Sequence, residues 1–351
     1  MGKIKRITII LGKKCNLKCK YCIQQNTRNT IKDSPNINPD IYNFIEKFSK
    51  KNLLTIRFFG GEPLLYFNKI KEIVENTRNL NVNYEIVTNG IILSREKIKY
   101  LNGNNVLCII SWDGDKSIYT RGYDVIKERR QDILDIKNLM ISSVVSNMLY
   151  PFDIINNFDR FDHTYYKIHH KHCKFGIDIL EIFDSCEENI STIDYQRIKR
   201  ECYVIFSQYL NGSKDSVINQ LCSGWLTELS HPYSDKPEAP CRNGYEIIPI
   251  DLAGNMYYCD SNNIIKGTIH DSIEIYRNIT KEIDSHIYTP EICRTCVGYF
   301  ICRGGCRLAR LSSQDVLDKN CRLKRSIGSG IIQAIIDFQA VLVKGKGHNN
   351  V

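Results

Sequence analysis

Apolar runs alternate with amphipathic segments along the first half of the chain. Five runs rich in Ile, Val, Leu and Phe predict buried strands: RITIILG (6–12), LLTIRFFG (53–60), YEIVTNG (84–90), VLCIISWDG (106–114) and LMISSVVSN (139–147). Apolar residues at helical spacing predict helices in five further segments: 39–50, 67–79, 94–102, 122–137 and 151–158. This alternation predicts an α/β fold with a parallel sheet and right-handed crossovers.

The unusual short sequences stand where predicted strands end. A loop with three cysteines follows the first strand, GGEP follows the second, TNG closes the third and SWDG closes the fourth. The carboxyl ends of parallel strands meet at one edge of a sheet, and β/α barrels gather their chemistry there. We therefore expect these four sequences to share one site.

The pattern changes after residue 194. A helix predicted over 195–211 leads into a polar, proline-bearing stretch, and together they form a bridging region over 195–240. Cysteines punctuate the part from 241 to 323, which contains short strands such as EIIPID. The last segment, 324–351, is expected to be a helix that starts after the glycines of IGSGIIQAIIDFQAVLV, followed by a tail.

Charge and hydropathy exclude few classes of protein. The net charge of +9 is spread along the chain and fits a basic solvated surface or an acidic partner. No nucleic-acid-binding motif is present, and no apolar run is long enough to span a membrane. The apolar run at the amino end is too short for a signal peptide. We expect a cytoplasmic protein without a nucleic-acid or membrane partner.

Cysteine is the outlying residue type, with 15 copies. In a cytoplasmic chain, clustered cysteines are more often metal ligands than disulfide partners. Cys15, Cys19 and Cys22 form C-x3-C-x2-C. An iron–sulfur cubane normally takes four thiolates, so three would leave one iron open. A zinc site that borrows a distant ligand is the alternative. Cys108, inside an apolar run, is expected to be a buried hydrophobic residue.

The motif CNLKCKYC resembles the signature of radical S-adenosylmethionine (SAM) enzymes, and FFGGEP resembles their second-strand motif. The resemblance implies a partial (β/α)6 TIM-like barrel over 1–194. It implies a SAM-binding 4Fe–4S cluster held by Cys15, Cys19 and Cys22. In such enzymes the open iron chelates SAM, an electron cleaves the sulfonium, and a 5′-deoxyadenosyl radical abstracts a hydrogen from the substrate.

The same resemblance implies roles for residues at the strand ends. Gly60 and Gly61 would let the backbone approach the methionyl group of SAM, and Glu62 would accept from its ammonium. A plain tight turn is the alternative reading of GGEP. Four positions would reach the ribose and carboxylate of SAM: Thr88, Asn89, Ser111 and Asp113. Arg121 would pair with the carboxylate unless it is an ordinary helix-start arginine, and Tyr21 would offer its backbone to the adenine.

A second cysteine block follows the spacing of the SPASM extension, which is found in radical SAM enzymes that modify peptides and proteins. Its elements are C-x12-G-x4-C, then C-x2-C-x5-C-x3-C, then a last cysteine. The extension implies two auxiliary 4Fe–4S clusters. The outer cluster would take these ligands: Cys293, Cys296, Cys302 and Cys321. The inner cluster would take Cys241, Cys259 and Cys306, with Cys222 as a candidate fourth ligand; otherwise one iron stays open. Paired zinc-ribbon knuckles are the alternative.

These resemblances predict a maturase that forms thioether, ether or carbon–carbon crosslinks in a ribosomally made peptide. Asp260 directly follows Cys259. The matching residue in sulfatase-maturing relatives is an aspartate that can act as a base. The alternative is an aspartate with only a structural role in a turn. Formylglycine formation in a sulfatase is therefore a second candidate. A non-catalytic iron–sulfur electron carrier is the candidate from another class.

The expected partners follow from that activity. They are the substrate, an electron donor such as flavodoxin or ferredoxin, and a leader-binding protein if the chain lacks that function. Fourteen residues precede Cys15, so we expect no leader-binding domain of the winged type in front of it. Leader recognition would then use the barrel, the segment 195–240 or a separate protein.

Overall fold

The computed structural model describes residues 3–24, 34–183, 192–230, 242–285 and 291–347. The chain divides into two compact units. The first unit comprises Met1–Trp112, Ser117–Ser142 and Cys241–Tyr288, and the second comprises Asp113–Lys116, Ser143–Pro240 and Thr289–Val351. The domain limits expected from the sequence stay a prediction.

The strands of the described chain are short. They are β1 (Arg6–Ile10), β2 (Leu54–Phe59), β3 (Val82–Thr88), β4 (Leu107–Ser111), β5 (Leu139–Val145), β6 (Lys174–Ile179), β7 (Ile247–Asp251), β8 (Asn255–Tyr257) and β9 (Ile265–Thr268). The helices are α1 (Asp40–Ser49), α2 (Phe67–Thr77), α3 (Arg95–Gly103), α4 (Ser117–Arg121), α5 (Val125–Glu128), α6 (Arg130–Leu134), α7 (Pro151–His169), α8 (Tyr195–Leu210), α9 (Ser216–Ser230), α10 (Ile273–Ser285), α11 (Tyr299–Cys302) and α12 (Gln314–Gly347).

The first unit is built on one sheet, in the order β5-β4-β3-β2-β1-β7-β8-β9. Neighbouring strands from β5 to β7 run parallel, and the β2 residues opposite Ile7 and Ile9 of β1 are Ile56 and Phe58. All four of these side chains are fully buried. The predicted α/β fold with a partial barrel sheet is confirmed. β7 to β9 extend the sheet beyond β1, so the chain after residue 241 continues the barrel sheet.

The second unit contains the last residues of β5, with β6 beside them, and a group of packed helices. α8 and α12 pack along each other, and α9 packs against α8 and α11. Tight contact explains two glycines inside α12: a Cβ on Gly328 would lie 2.5 Å from the carbonyl oxygen of Val297, and one on Gly330 would lie 2.3 Å from that of Lys199. The expected helix start after these glycines was therefore wrong.

Two other predicted elements differ from the structure. The helix expected over 122–137 is divided into α5 and α6 at Arg129, whose guanidinium donates to the carbonyls of Ile91 and Leu93. α7 runs further than expected because Phe158, Phe161 and Tyr165 continue its buried face. None of the helices in the described ranges is long and apolar enough to cross a membrane.

Candidate functional site

The triple-cysteine loop follows β1 and folds back on itself. The backbone N–H of Cys22 donates to the Cys19 carbonyl at 3.2 Å, and that of Leu17 donates to Cys15 Sγ at 3.4 Å. Cys19 is buried, whereas Cys15 and Cys22 are half-buried. The N–H of Lys20 donates to the Thr120 carbonyl at 2.9 Å, which attaches the loop to α4. A loop closed by such local bonds holds three thiols in one short segment.

The glycines of GGEP let the end of β2 lie directly against this loop. Gly61 N–H donates to Gly12 O at 2.9 Å, and Glu62 N–H donates to Lys14 O at 2.8 Å. A Cβ on Gly60 would lie 2.2 Å from Gly12 O, and one on Gly61 would lie 2.1 Å from Lys14 O. Side chains at these positions would separate the two loops, which is a reason for glycine in addition to the predicted approach to SAM.

Glu62 is the buried hub of the strand-end residues. Its carboxylate accepts from Leu64 N–H at 3.0 Å, from Thr88 Oγ1 at 2.6 Å and from Asn89 N–H at 2.8 Å. Burial raises the pKa of Glu62, and these bonds and the charge of Arg121 only partly offset that rise. All three partners donate to the carboxylate, which favours its ionised form. Such a carboxylate offers about four acceptor sites, so one remains for the predicted ammonium of SAM.

Asn89 connects this network to the cysteines. Its Nδ2 donates to Asn16 Oδ1 at 2.8 Å and lies 3.9 Å from Cys15 Sγ. Its Oδ1 accepts from Ile91 N–H at 3.0 Å, which fixes the side chain. The ends of β1, β2 and β3 thus meet as the sequence predicted, and polar groups from each lie beside the first thiol.

Arg121 and Tyr21 contact each other. Arg121 Nη1 donates to the Tyr21 hydroxyl at 2.8 Å, and its guanidinium lies 5.9 Å from the centre of that ring. Arg121 is also close enough to lower the pKa of Glu62. These contacts place the residue predicted to pair with the SAM carboxylate next to the residue predicted to contact the adenine. The roles of both residues toward SAM stay predictions.

The fourth strand end is less clearly part of this network. Ser111 is half-buried at the end of β4, opposite Ser142. Asp113 belongs to the second unit, where its carboxylate accepts from Ser143 Oγ at 3.3 Å and from Val144 N–H at 3.4 Å. These bonds give Asp113 a structural role, and its contact with SAM stays a prediction.

Sequence reasoning missed two buried side chains beside Asp260. Lys13 Nζ and Gln24 Nε2 both donate to the backbone carbonyl of Asp260, at 3.3 and 3.4 Å. Their exposed fractions are 1% for Lys13 and 3% for Gln24. The Asp260 carboxylate accepts from Ser261 Oγ at 3.1 Å. No local signal marks Lys13 or Gln24, because their common partner is more than two hundred residues away in the sequence.

The second unit holds a separate cavity, here called the cysteine pocket. Its lining includes three thiols and three charged side chains: Cys302, Cys306, Cys321, Glu181, Arg310 and Lys324. Arg310 donates through Nη2 to Cys293 Sγ at 3.5 Å and through Nε to the Gly304 carbonyl at 2.6 Å. Three of the four ligands predicted for the outer cluster therefore line this pocket or contact its lining.

A buried ion pair forms one wall of the cysteine pocket. Lys324 Nζ donates to Glu181 Oε1, and the Lys324 side chain is 6% exposed. Burial lowers the pKa of Lys324, but the charges of Glu181 and Cys302 outweigh it and leave the pKa raised. Burial raises the pKa of Cys302 to about 11. A lysine held cationic beside thiols offsets the negative charge that four thiolates would bring to a cluster.

Two of the ligands predicted for the inner cluster do not line this pocket. Cys222 is fully buried in α9, and burial raises its pKa to about 12. Cys259 lies in the first unit, half-buried, with its Sγ 3.6 Å from Asp260 Oδ1. Cys241 lies outside the described residues. Membership of the inner cluster stays a prediction for all of them and for Cys306.

The donor chemistry fits iron–sulfur clusters in both units. The candidate ligands are thiols, the ligands such clusters take. Three of them lie in one loop of the first unit, and Cys302, Cys306 and Cys321 line the pocket of the second unit. Across the described ranges, no three His, Cys, Asp or Glu side chains stand close enough to bind a single metal ion.

Comparison with known proteins identifies similar chains. Residues 9–151 match the model of the radical SAM superfamily. The cysteine-type anaerobic sulfatase-maturating enzyme of Clostridium novyi is 27% identical over 332 residues, which are 84% of this chain and 85% of that protein. The radical SAM cyclopropyl synthase TigE of Paramaledivibacter caminithermalis is 34% identical over 180 residues, 44% of this chain and 38% of TigE.

Solved structures with the same fold are also found. Native anSMEcpe with bound AdoMet, another name for SAM, covers 96% of this chain and 99% of its own with a TM-score of 0.69 and 20% identity. Streptococcus suis SuiB bound to the precursor peptide SuiA covers 87% of this chain and 72% of its own with a TM-score of 0.64 and 18% identity. At these identities the likeness shows the fold alone.

Proposed function

Because residues 9–151 match the model of the radical SAM superfamily, we propose that the chain is a maturase that oxidises a side chain of a peptide or protein, with Asp260 as the base. The predicted enzyme class is confirmed, as are its cofactors, SAM and a 4Fe–4S cluster, and auxiliary clusters fit a SPASM-type enzyme. The substrate, the residue modified and the catalytic residues belong to the proposal.

The first unit would bind the radical-generating cofactors. Cys15, Cys19 and Cys22 would hold the cluster, and SAM bound to it supplies a 5′-deoxyadenosyl radical that removes a hydrogen atom from the substrate. Glu62 would hold the SAM ammonium. Because Thr88 and Asn89 already fix its carboxylate, this acceptor would need no reorganisation when SAM binds.

Removal of two hydrogens from a side chain releases one hydrogen atom, one proton and one electron. The proton requires a base, and the Asp260 carboxylate is the candidate because it lies in the segment held against the triple-cysteine loop. The electron requires an acceptor, which the auxiliary clusters would supply when loaded. Arg310 and Lys324 would stabilise an added negative charge in the cysteine pocket.

The observation that carries the proposal is the contact between the triple-cysteine loop and Asp260. Residues on both sides of the three cysteines donate to the carbonyl of this one aspartate. An iron–sulfur electron carrier has no use for a carboxylate held beside a SAM-binding loop. The geometry therefore favours an enzyme that removes a proton as well as a hydrogen atom.

Two products fit this chemistry. Crosslink formation in a ribosomally made peptide is the first, and the fold shared with SuiB bound to its precursor peptide supports it. Formylglycine formation is the second, supported by Asp260 and by a match over most of the chain to a cysteine-type sulfatase-maturating enzyme. A flavodoxin or ferredoxin donor and a separate leader-binding protein remain proposals.

The two products differ in mass and reactivity. Reconstituted protein under anaerobic, reducing conditions with SAM is given either a sulfatase segment with its target cysteine or any short peptide that is found to be encoded beside the gene. A crosslink removes two hydrogens and leaves no aldehyde. Formylglycine also exchanges sulfur for oxygen and reacts with a hydrazide. SAM cleavage without change in any peptide, including a proteome-derived peptide library, would contradict a peptide substrate.

The Asp260→Asn variant tests the base. Asparagine keeps the size of the side chain but cannot take up a proton, so 5′-deoxyadenosine should still form while product falls by at least tenfold. Ser261→Ala should lose less product than Asp260→Asn, because it removes one donor that orients the carboxylate but leaves the base itself. Full product formation by Asp260→Asn would exclude Asp260 as the base.

A further inference from the structure

We infer that Lys13 and Gln24 are positioning residues that hold Asp260 and Cys259 against the triple-cysteine loop. We call Lys13, Gln24 and the Asp260 carbonyl the Asp260 brace. The inference deepens the proposed function, on which it rests for the role of Asp260 as a base. The contacts that define the brace are independent of that role.

The brace joins two segments that are far apart in sequence. Lys13 precedes the three cysteines and Gln24 follows them, and both side chains reach the same carbonyl oxygen. The accepting residue lies 247 residues after Lys13 and 236 residues after Gln24. Two donors, one on each side of the three cysteines, attach both ends of the loop to one peptide group. The loop and the Asp260 segment should therefore move as one body.

A buried lysine is a costly way to make one hydrogen bond to a carbonyl. An ammonium loses its hydration on burial, and a packing role would be served by Leu or Met. Gln24 already supplies an uncharged donor to this oxygen. What Lys13 adds is an ammonium group. Burial lowers the pKa of Lys13, and the nearby Asp260, Cys259 and Cys22 only partly offset this shift. Lys13 therefore brings an ammonium group close to a candidate base and to one candidate ligand from each cysteine block.

The brace also fixes the orientation of the carboxylate. Asp260 Oδ1 accepts from Ser261 Oγ at 3.1 Å and lies 3.6 Å from Cys259 Sγ, so the side chain is tied to its neighbours in the turn. With the carbonyl of the same residue held by Lys13 and Gln24, little freedom remains for the carboxylate. A base must lie within hydrogen-bond reach of the proton it removes, so this placement would couple radical formation to product.

Hydrogen–deuterium exchange of the loaded enzyme tests the brace without a substrate. Lys13→Met keeps the packing volume but removes the charge and the donor, and exchange in the 256–263 segment should rise about tenfold, as expected for a lost charged hydrogen bond. Gln24→Leu should raise it less, and Lys13→Arg should restore slow exchange. Lys69→Met is the matched control, because Lys69 donates to the carbonyl of Ser34.

The reduction potential of the SAM-binding cluster is the second readout, because a residue with a purely structural role would not change this potential. Loss of a buried cation near Cys22 should make reduction harder, so Lys13→Met should shift the potential to more negative values. Lys13→Arg should return it to the wild-type value, and Gln24→Leu should leave it unchanged.

The outcomes separate the brace from the proposed function. Unchanged exchange in Lys13→Met would overturn the brace even if the wild-type enzyme matures a peptide. Faster exchange with an unchanged reduction potential would show that Lys13 acts only as a hydrogen-bond donor. That result would overturn the proposed electrostatic effect of Lys13 on the cluster. If both shifts occur but no peptide is ever modified, the brace stands and the proposed function fails. On a substrate of the wild-type enzyme, Lys13→Met should raise the ratio of 5′-deoxyadenosine to product.

Discussion

The triple-cysteine loop of the first unit and the cysteine pocket of the second unit surround their thiols with different groups. The loop has cations nearby, Lys13 and Arg121, but the polar groups beside its first thiol are amides and a hydrogen-bonded carboxylate: Asn89 beside Cys15, and Glu62 fixed by Thr88. Around the pocket are cations, with Arg310 on Cys293 and Lys324 on one wall. The difference fits a site that must admit a zwitterionic ligand and a site that only has to hold a charged cluster.

The largest expected effect is the loss of SAM cleavage in Cys19→Ala. With two thiols left in the loop, the cluster would lack a ligand and SAM would have no iron to complete. Formation of 5′-deoxyadenosine, followed by liquid chromatography, should fall to background. Cys108→Ala is the control: Cys108 is a buried thiol of β4, and this variant should cleave SAM at close to the wild-type rate. Normal cleavage by Cys19→Ala would mean that the loop is not the cluster site.

A second large effect should distinguish the pocket from the loop. Cys302→Ala removes a predicted ligand of the outer cluster, so the iron content should fall by about four per chain. SAM cleavage should continue while peptide modification stops. If Cys302→Ala still matures the substrate normally, the assignment of the pocket to an auxiliary cluster is wrong.

Part of this comparison could be predicted from the sequence. Each strand-end motif is local, and parallel strands bring their ends together, so the proximity of Glu62, Thr88 and Asn89 to the cysteines followed from order alone. The cysteine spacings indicated two groups of thiols in the same way. Their roles toward SAM and the clusters stay predictions.

The cations could not be predicted, because their partners are distant. Lys13 contacts a residue 247 positions away, and Lys324 contacts one 143 positions away. Nothing near either lysine distinguishes it from the many exposed lysines of the chain. The start of α12 was predicted wrongly for a related reason. Gly328 and Gly330 allow close packing against other segments, and a rule that reads glycine as a helix boundary does not consider such contacts.

A moderate effect should follow from breaking the ion pair of the pocket. Lys324→Met leaves the Glu181 carboxylate without its cation, and we expect a loss of roughly 2–3 kcal/mol in the free energy of unfolding. The lower end of the usual range applies because the Glu181 side chain is 23% exposed. Urea unfolding under anaerobic conditions measures it.

The same helix supplies the control for that prediction. Lys319 pairs with Asp315 on the surface of α12, where the acidic side chain is 71% exposed. Lys319→Met should change stability by less than about 1 kcal/mol. Equal losses in Lys324→Met and Lys319→Met would show that the pocket pair is no stronger than a surface pair.

The smallest effect tests the polar network of the loop site. Thr88→Val removes the hydroxyl that donates to Glu62 and accepts from Gly90 N–H, and should cost about 1–2 kcal/mol of stability and weaken SAM binding. Thr8→Val is the matched control on β1, since the buried Thr8 hydroxyl has no hydrogen-bond partner among the described residues. Equal SAM affinity in the Thr88→Val and wild-type proteins would remove Thr88 from the binding site.

The most direct measurement of the central claim is SAM cleavage by the wild-type protein. Protein reconstituted with iron and sulfide, reduced without oxygen and incubated with SAM alone should form 5′-deoxyadenosine and methionine in equal amounts. Fully loaded clusters with no 5′-deoxyadenosine would contradict the account and leave an iron–sulfur electron carrier as the better description.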